Sequence, residues 1–240
     1  MKPQIPWLRV FVEGVVIVAS ILLALALDEW REERGELEDE QQALSGLQTD
    51  FRRYREIMES RVSAVTREIE QIEFLFSLGA GRAEELPVAR ADSAFRWLIV
   101  AGTVDPGEGT LDALIGAGRL SLIRRDELRD LLTAWKTRLD EVLDGESVIR
   151  EFVKESLVPG LAEAGVPLMR AYRSVFPDRP VSLVSDEATA AIYARVLSDP
   201  ELRSLMSYRH NWADDSLGEY ERTIQMIDQI LALISEELES

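Results

Sequence analysis

The sequence predicts an all-α fold: a single N-terminal transmembrane helix that continues into an elongated antiparallel helical bundle with short connecting helices. Three observations predict it. Residues Val10 to Leu27, VFVEGVVIVASILLALAL, form a stretch of the length and apolarity needed to cross a bilayer, which takes roughly 20 such residues. Three later segments repeat apolar residues at three- and four-residue steps, the period of a helix face. Nowhere is there the alternation of a half-buried strand. The expected organisation is a short cytoplasmic tail at 1–9, an anchor at 10–27 and a helical extracytoplasmic bundle at 28–240.

The anchor is bracketed by Trp7 and Trp30, about 34 Å apart on a helix, where amphipathic rings sit at headgroup level. Trp7, Arg9 and Trp30 are the expected membrane-interface anchors. Ala24-Leu25-Ala26 imitates a signal-peptidase site, but no polar region precedes it, which favours a retained anchor over a cleaved signal. Lys2 and Arg9 precede the span and an acidic segment, Asp28 to Glu40, follows it. Lys and Arg numbers are close to equal at the two ends, and the N-terminus is placed inside with the bulk domain outside. The span is then single-pass, with the bundle on the outer side of the membrane. Glu13 lies one turn from Arg9 and can pair with it at the interface or face a partner helix. Ser20 and Ala24 give one small-xxx-small spacing for close helix contact.

After the anchor, Leu37, Leu44, Leu47, Phe51, Tyr54, Met58, Val62, Val65, Ile69, Ile72 and Phe76 mark the seam of a long helix from Asp28 to Leu78. Gly79-Ala80-Gly81 stops it. Asp92 is expected to cap a short helix, Ser93 to Ala101, and Thr110 another, Leu111 to Ala117. A second long helix spans Arg124 to Leu157 with Leu128, Leu132, Trp135, Leu139, Val142, Ile149, Phe152 and Val153 on its stripe. Gly145 is its expected weak point, and Pro159-Gly160 loosens or ends it. Pro167 to Val175 and Ser185 to Leu197 are shorter helices. Asp199-Pro200 caps the last long helix, to about Leu238, whose seam is Leu217, Tyr220, Ile224, Ile227, Leu231, Ile234 and Leu238.

The anchor VEGVVIVASILLALALDEWREER, the following EQQALSGLQTDFRRYREIM and the middle segment TLDALIGAGRLSLIRRDELRDLLTAW together resemble an uncharacterised family of bacterial single-pass membrane proteins. Asp28-Glu29 and Gly116-Ala117-Gly118-Arg119 depart from that family's pattern. The resemblance implies topology and a helical fold. It brings no catalytic residues.

Composition narrows the partners. A net charge of −17 opposes binding to nucleic acid and to anionic lipid surfaces. The absence of cysteine removes disulfides and thiolate metal sites. One histidine, His210, could meet Asp214 one turn on, but is read as structural. Asp105, Glu108 and Asp112 do not match a calcium loop. No catalytic, cofactor-binding or metal-ligating set is expected, and no cofactor. Trp97, Trp135 and Phe95 are expected core anchors. The expected function is a non-enzymatic interaction or scaffold subunit, bound to lipid through its N-terminal helix and to other membrane-protein subunits. Homo-oligomers are allowed by the heptad seams. The alternative is an extracytoplasmic ligand-binding sensor that signals through a partner.

Overall fold

The computed structural model describes residues 7–79, 87–107, 109–171 and 184–239, and within them the side chains at 7–10, 12–14, 17 and 19 are excepted. The described residues are helical with no strand. One helix, α1 (Trp7–Leu78), runs 72 residues without a break, about 108 Å. It is followed by α2 (Val88–Ile99), α3 (Thr110–Gly116), a 3-10 turn at Leu120–Leu122, α4 (Asp126–Phe152), a π turn at Val153–Leu157, α5 (Val158–Glu163), α6 (Leu168–Ala171), α7 (Asp186–Ser198) and α8 (Pro200–Glu239).

Local chemistry fixes most of these ends. Gly79 and Gly165 take positive φ, of 58° and 85°, where a helix stops. Ser185 Oγ accepts the Ala188 N–H at the start of α7. Asp199 Oδ1 accepts the N–H groups of Glu201 and Leu202, and Pro200 opens α8 with no N–H to leave unpaired. At Pro159 the helix loosens and does not end: the backbone widens into the π turn just before it and stays helical to Glu163, so the ring that cannot donate is accommodated. Other expectations change. α4 passes Gly145 unbroken. Asp92 caps nothing, because α2 starts earlier, at Val88 after Pro87.

The packing of the long helices is partly antiparallel. α8 runs against α1: Gln48 Nε2 donates to Ser235 Oγ (3.3 Å), Arg55 Nε to Asp228 Oδ1 (2.7 Å), and Arg209 Nη1 lies 2.6 Å from Glu68 Oε1. α8 also runs against α4, through Arg125–Glu236, Arg138–Glu219 and the Phe152–Tyr208 rings. α1 and α4, however, are parallel. Arg124 N donates to Glu40 Oε1, Trp135 packs on Phe51 and Tyr54 at 5.1 and 5.5 Å, and Arg61 meets Glu146. A parallel pair needs a return connection, and α2 with α3 supplies it. α2 lies along the upper part of α1, with Arg90 over Phe74 and Arg67 over Trp97. The chain then descends until Thr110 N reaches Asp50 Oδ2 (2.7 Å) and Arg119 reaches Asp39 (2.6 Å). The down-going rod is therefore split in two by an extended loop.

Two apolar cores fill the bundle. The first joins Leu44, Phe51, Tyr54, Met58, Trp135, Ile227 and Ile234, among others. The second joins Ile72, Leu75, Phe95, Leu98, Leu157, Tyr193 and Met206. Leu37, expected on the seam, is 45% exposed, because burial along α1 starts only at Glu40. Every described side chain of α1 from Phe11 to Asp39 is exposed. Trp135 is buried between Phe51 and Tyr54, so Trp135→Ala should lower the unfolding free energy by about 3–5 kcal/mol. Trp30→Ala, outside the bundle, should change it by less than about 0.5 kcal/mol. Urea titration of the two variants in detergent checks the contrast.

Candidate functional site

The seams of α1, α4 and α8 each carry a buried charge at mid-bundle, and the three meet there; a further buried charge on α1, Glu40, lies at the collar. Glu68 stands on α1 among Val65, Ile69 and Ile72, Glu146 on α4 between Val142 and Ile149, and Arg209 on α8 between Met206 and Ala213; all three are buried. They form a polar layer at the junction of the two apolar cores. Glu146 is held most completely. Its carboxylate accepts the Val104 N–H through both oxygens, at 3.1 and 2.9 Å, and the Tyr220 hydroxyl at 2.5 Å. Arg61 reaches the same group from α1, with Nε 3.6 Å from Glu146 Oε1 and Nη2 3.4 Å from the Tyr220 oxygen. Gly102 makes room for that guanidinium, since a Cβ there would overlap it. Arg209 pairs with Glu68 and extends Nη2 to within 3.5 Å of the Val100 carbonyl.

Burial is the main electrostatic fact here. It pushes the Glu68 carboxyl from 4.5 to about 7, against the pull of Arg209 and Arg61. The same desolvation lowers Arg209 and raises Tyr220, and for Tyr220 the hydrogen bond to Glu146 adds to the rise. The layer is compensated when all four side chains are charged, with two carboxylates against two guanidinium groups. Its hydrogen bonds fix it in place; they do not expose a nucleophile.

Next to the layer, α4 and α8 part to leave a groove of about 520 Å³. Buried Val142, Glu146 and Tyr220 form its floor, with Gly145, Trp212 and Ser216 beside them. Glu141, Asp215, Glu219 and Arg222 stand at its rim. Arg138 bridges Glu141 (3.2 Å) and Glu219 (2.6 Å) across the two helices. A smaller internal space of about 10 Å³ shares Glu146, Ser216 and Tyr220 with the groove and is bordered also by Arg61, Glu68 and Arg209.

The residues singled out from the sequence lie elsewhere. Trp30 is exposed on α1 with Arg34 over its ring at 5.1 Å. Ser20 is exposed and donates back to the Val16 carbonyl (2.7 Å), and Ala24 is exposed. Trp7, Arg9 and Glu13 are on α1, and their side chains fall outside the described residues. His210 faces Glu73 across α1 and α8, with Nε2 3.6 Å from Oε1, rather than Asp214 along its own helix. Asp105 accepts the Gly107 N–H, and Asp112 binds Lys136 (2.7 Å) and the Gly109 N–H; Glu108 is outside the described residues. Trp135 and Phe95 are core residues as expected, whereas Trp97 is only half-buried. Asp92, read as a cap, accepts the Tyr193 hydroxyl (2.5 Å) and pairs with Arg170 (3.0 Å), tying α2 to α6 and α7. Among the described residues no group of three or more His, Cys, Asp or Glu is placed to hold a metal ion, and no helix is long and apolar enough to cross a membrane.

No known family, curated relative or solved structure matches the chain.

The layer sets a pH dependence with an unusual sign. Glu68 binds its proton more tightly in the folded state, near 7, than in the unfolded state, near 4.5. Its contribution is therefore fully present below about pH 4.5 and is lost as pH rises through 7, roughly 3 kcal/mol in all. Glu68→Gln should remove this part of the slope of unfolding free energy between pH 4 and 8. Parallel urea titrations of wild type and variant across that range measure it.

Proposed function

We propose that the chain is a non-enzymatic, membrane-anchored interaction protein, an accessory structural subunit that holds a helical bundle beside a larger membrane complex of the respiratory, photosynthetic or transport kind. The observation that carries this reading is the first part of α1. Phe11 is 70% exposed, and Val15, Val16, Val18, Ile21, Leu22, Leu23, Leu25 and Leu27 are all exposed, on every side of a helix that the bundle does not cover. A helix apolar all round needs a non-aqueous surrounding. Lipid is the occupant that also suits the flanking Trp30 and the acidic, solvated residues that follow it. The reading places the chain in the bacterial inner membrane with residues 1–9 inside and the bundle in the periplasm.

The bundle side of the reading rests on the collar where α1 enters it. Arg119 pairs with Asp39, Arg124 with Glu36 and Glu40, and Arg125 with Glu236 and Glu237. These contacts fix the direction in which α1 leaves, so the bundle would be presented at a set angle to whatever holds residues 11–27. A second reading, a sensor domain that signals through a partner, is favoured by the groove between α4 and α8, whose volume lies in the range of small-molecule sites.

Membrane fractionation tests the proposal. The full chain should stay with membranes through alkaline carbonate extraction. Leu22→Arg with Leu23→Arg should release it, because each charge at a helix centre costs about 2.5–3.5 kcal/mol on insertion. Purification in mild detergent should bring down a larger assembly in fixed proportion. Recovery in the soluble fraction would sink the anchor, and a lone monomer would sink the subunit.

A further inference from the structure

The groove between α4 and α8 combines three features that point to one class of ligand. The first is open space at its base. A Cβ on Gly145 would meet no atom within 4 Å, as at Gly35, Gly79, Gly107, Gly116 and Gly118, and of these Gly145 is the one that lines the groove. Gly145 lies inside α4, where glycine costs up to about 1 kcal/mol relative to alanine. No contact within the chain offsets that cost; what the glycine leaves is room. The second feature is an aromatic and aliphatic wall. Half-buried Trp212, braced edge-on by Tyr208 at a ring separation of 6.2 Å, faces the apolar floor of Val142.

The third feature is charge. Four carboxylates line the groove, Glu141, Glu146, Asp215 and Glu219. Three guanidinium groups answer three of them: Arg61 meets Glu146 from behind, Arg138 pairs with Glu141 and Glu219, and Arg222 shares Glu219. Asp215 is exposed and makes no ion pair among the described residues. An anion would be repelled here. A neutral apolar molecule would strip water from Asp215 and give it no partner. A cation carried on an apolar body satisfies both surfaces, because an indole face attracts positive charge as the carboxylates do.

We propose that the α4–α8 groove binds an organic cation, an amine or quaternary ammonium with an apolar body, whose charge lies near Asp215 and whose body rests on Trp212 above Gly145. This rests on the sensor reading of the groove.

The experiment is calorimetric titration of the full chain in non-ionic detergent with benzyltrimethylammonium, and with benzyl alcohol as the neutral comparator. The cation should bind and should weaken as salt is raised, the alcohol at least about tenfold less tightly. Gly145→Leu should fill the groove and abolish binding, while its melting temperature holds or rises because leucine favours helix. Asp215→Asn, an exposed change that leaves the fold alone, should weaken the cation about three- to tenfold and leave the alcohol unchanged. Equal binding of alcohol and cation would overturn the proposed ligand class and leave the sensor reading standing. Failure of both probes at about 10 mM, or wild-type binding by Gly145→Leu, would overturn the groove as a ligand site and the sensor reading with it.

Discussion

Three charged side chains lie out of water at the middle of this bundle with the half-buried Arg61 against them, and the relative positions of the three long helices bring them together. Removing a single carboxylate or guanidinium from water costs several kcal/mol, and leaving one without its partner costs about 3–5 kcal/mol. Glu68 with Arg209, and Glu146 with Arg61 and Tyr220, therefore have to sit at one level. A slip of any one of the three helices by one turn, about 5.4 Å, would separate two of these pairs. Apolar seams alone tolerate such slips, since one leucine is much like the next. The polar layer is thus the feature that selects one register for α1, α4 and α8, at some expense in stability.

The same constraint explains the split return rod. Val104 must give its N–H to Glu146, and Gly102 must leave space for Arg61, so the chain between α2 and α3 cannot be helical there. Its backbone groups are instead used to hold a buried carboxylate. Below the loop, the long helices hold the start of α3: Asp50 of α1 receives the Thr110 N–H, and Lys136 of α4 donates to Asp112. Hydrogen bonding to Lys136 holds Asp112 below its ordinary pKa, and the return rod is fixed to α1 and α4 by charge where it has little apolar area to bury.

Much of the fold could be read from the periodicity. The long helices, the caps at Ser185 and Asp199 and the stop at Gly79 follow from local rules that tertiary contacts do not override. The orientation of α1 and α4 could not be read, because a seam has no direction and the return connection looks like loop. Asp92 was misread for a similar reason. An aspartate before an apolar run has the form of a cap, and only the position of Tyr193, 101 residues further on, reveals its use. The candidate site left a signal that went unread. Glu146 falls at the stripe position between Val142 and Ile149, and Gly145 adjoins it. A charge at a seam position has to be paired, but its partners, Arg61 and Tyr220, lie on other helices and no local pattern names them.

The groove floor belongs to this layer, and the layer is joined to the exposed end of α1 by α1 itself. The floor residue Glu146 touches the Tyr220 hydroxyl, and Arg61 of α1 touches both. α1 then runs without interruption from Arg61 down through the collar at Glu40 and Arg124 to the apolar side chains at 11–27. Sharp kinks arise at a proline, a bulge, a Gly/Ser pair or an inserted side chain, and between the collar and the apolar end α1 holds only Gly35, exposed and free of neighbours. Above Gly35 the bundle and the collar fix α1, and below it the helix stands exposed, so Gly35 is where the two parts of the helix join.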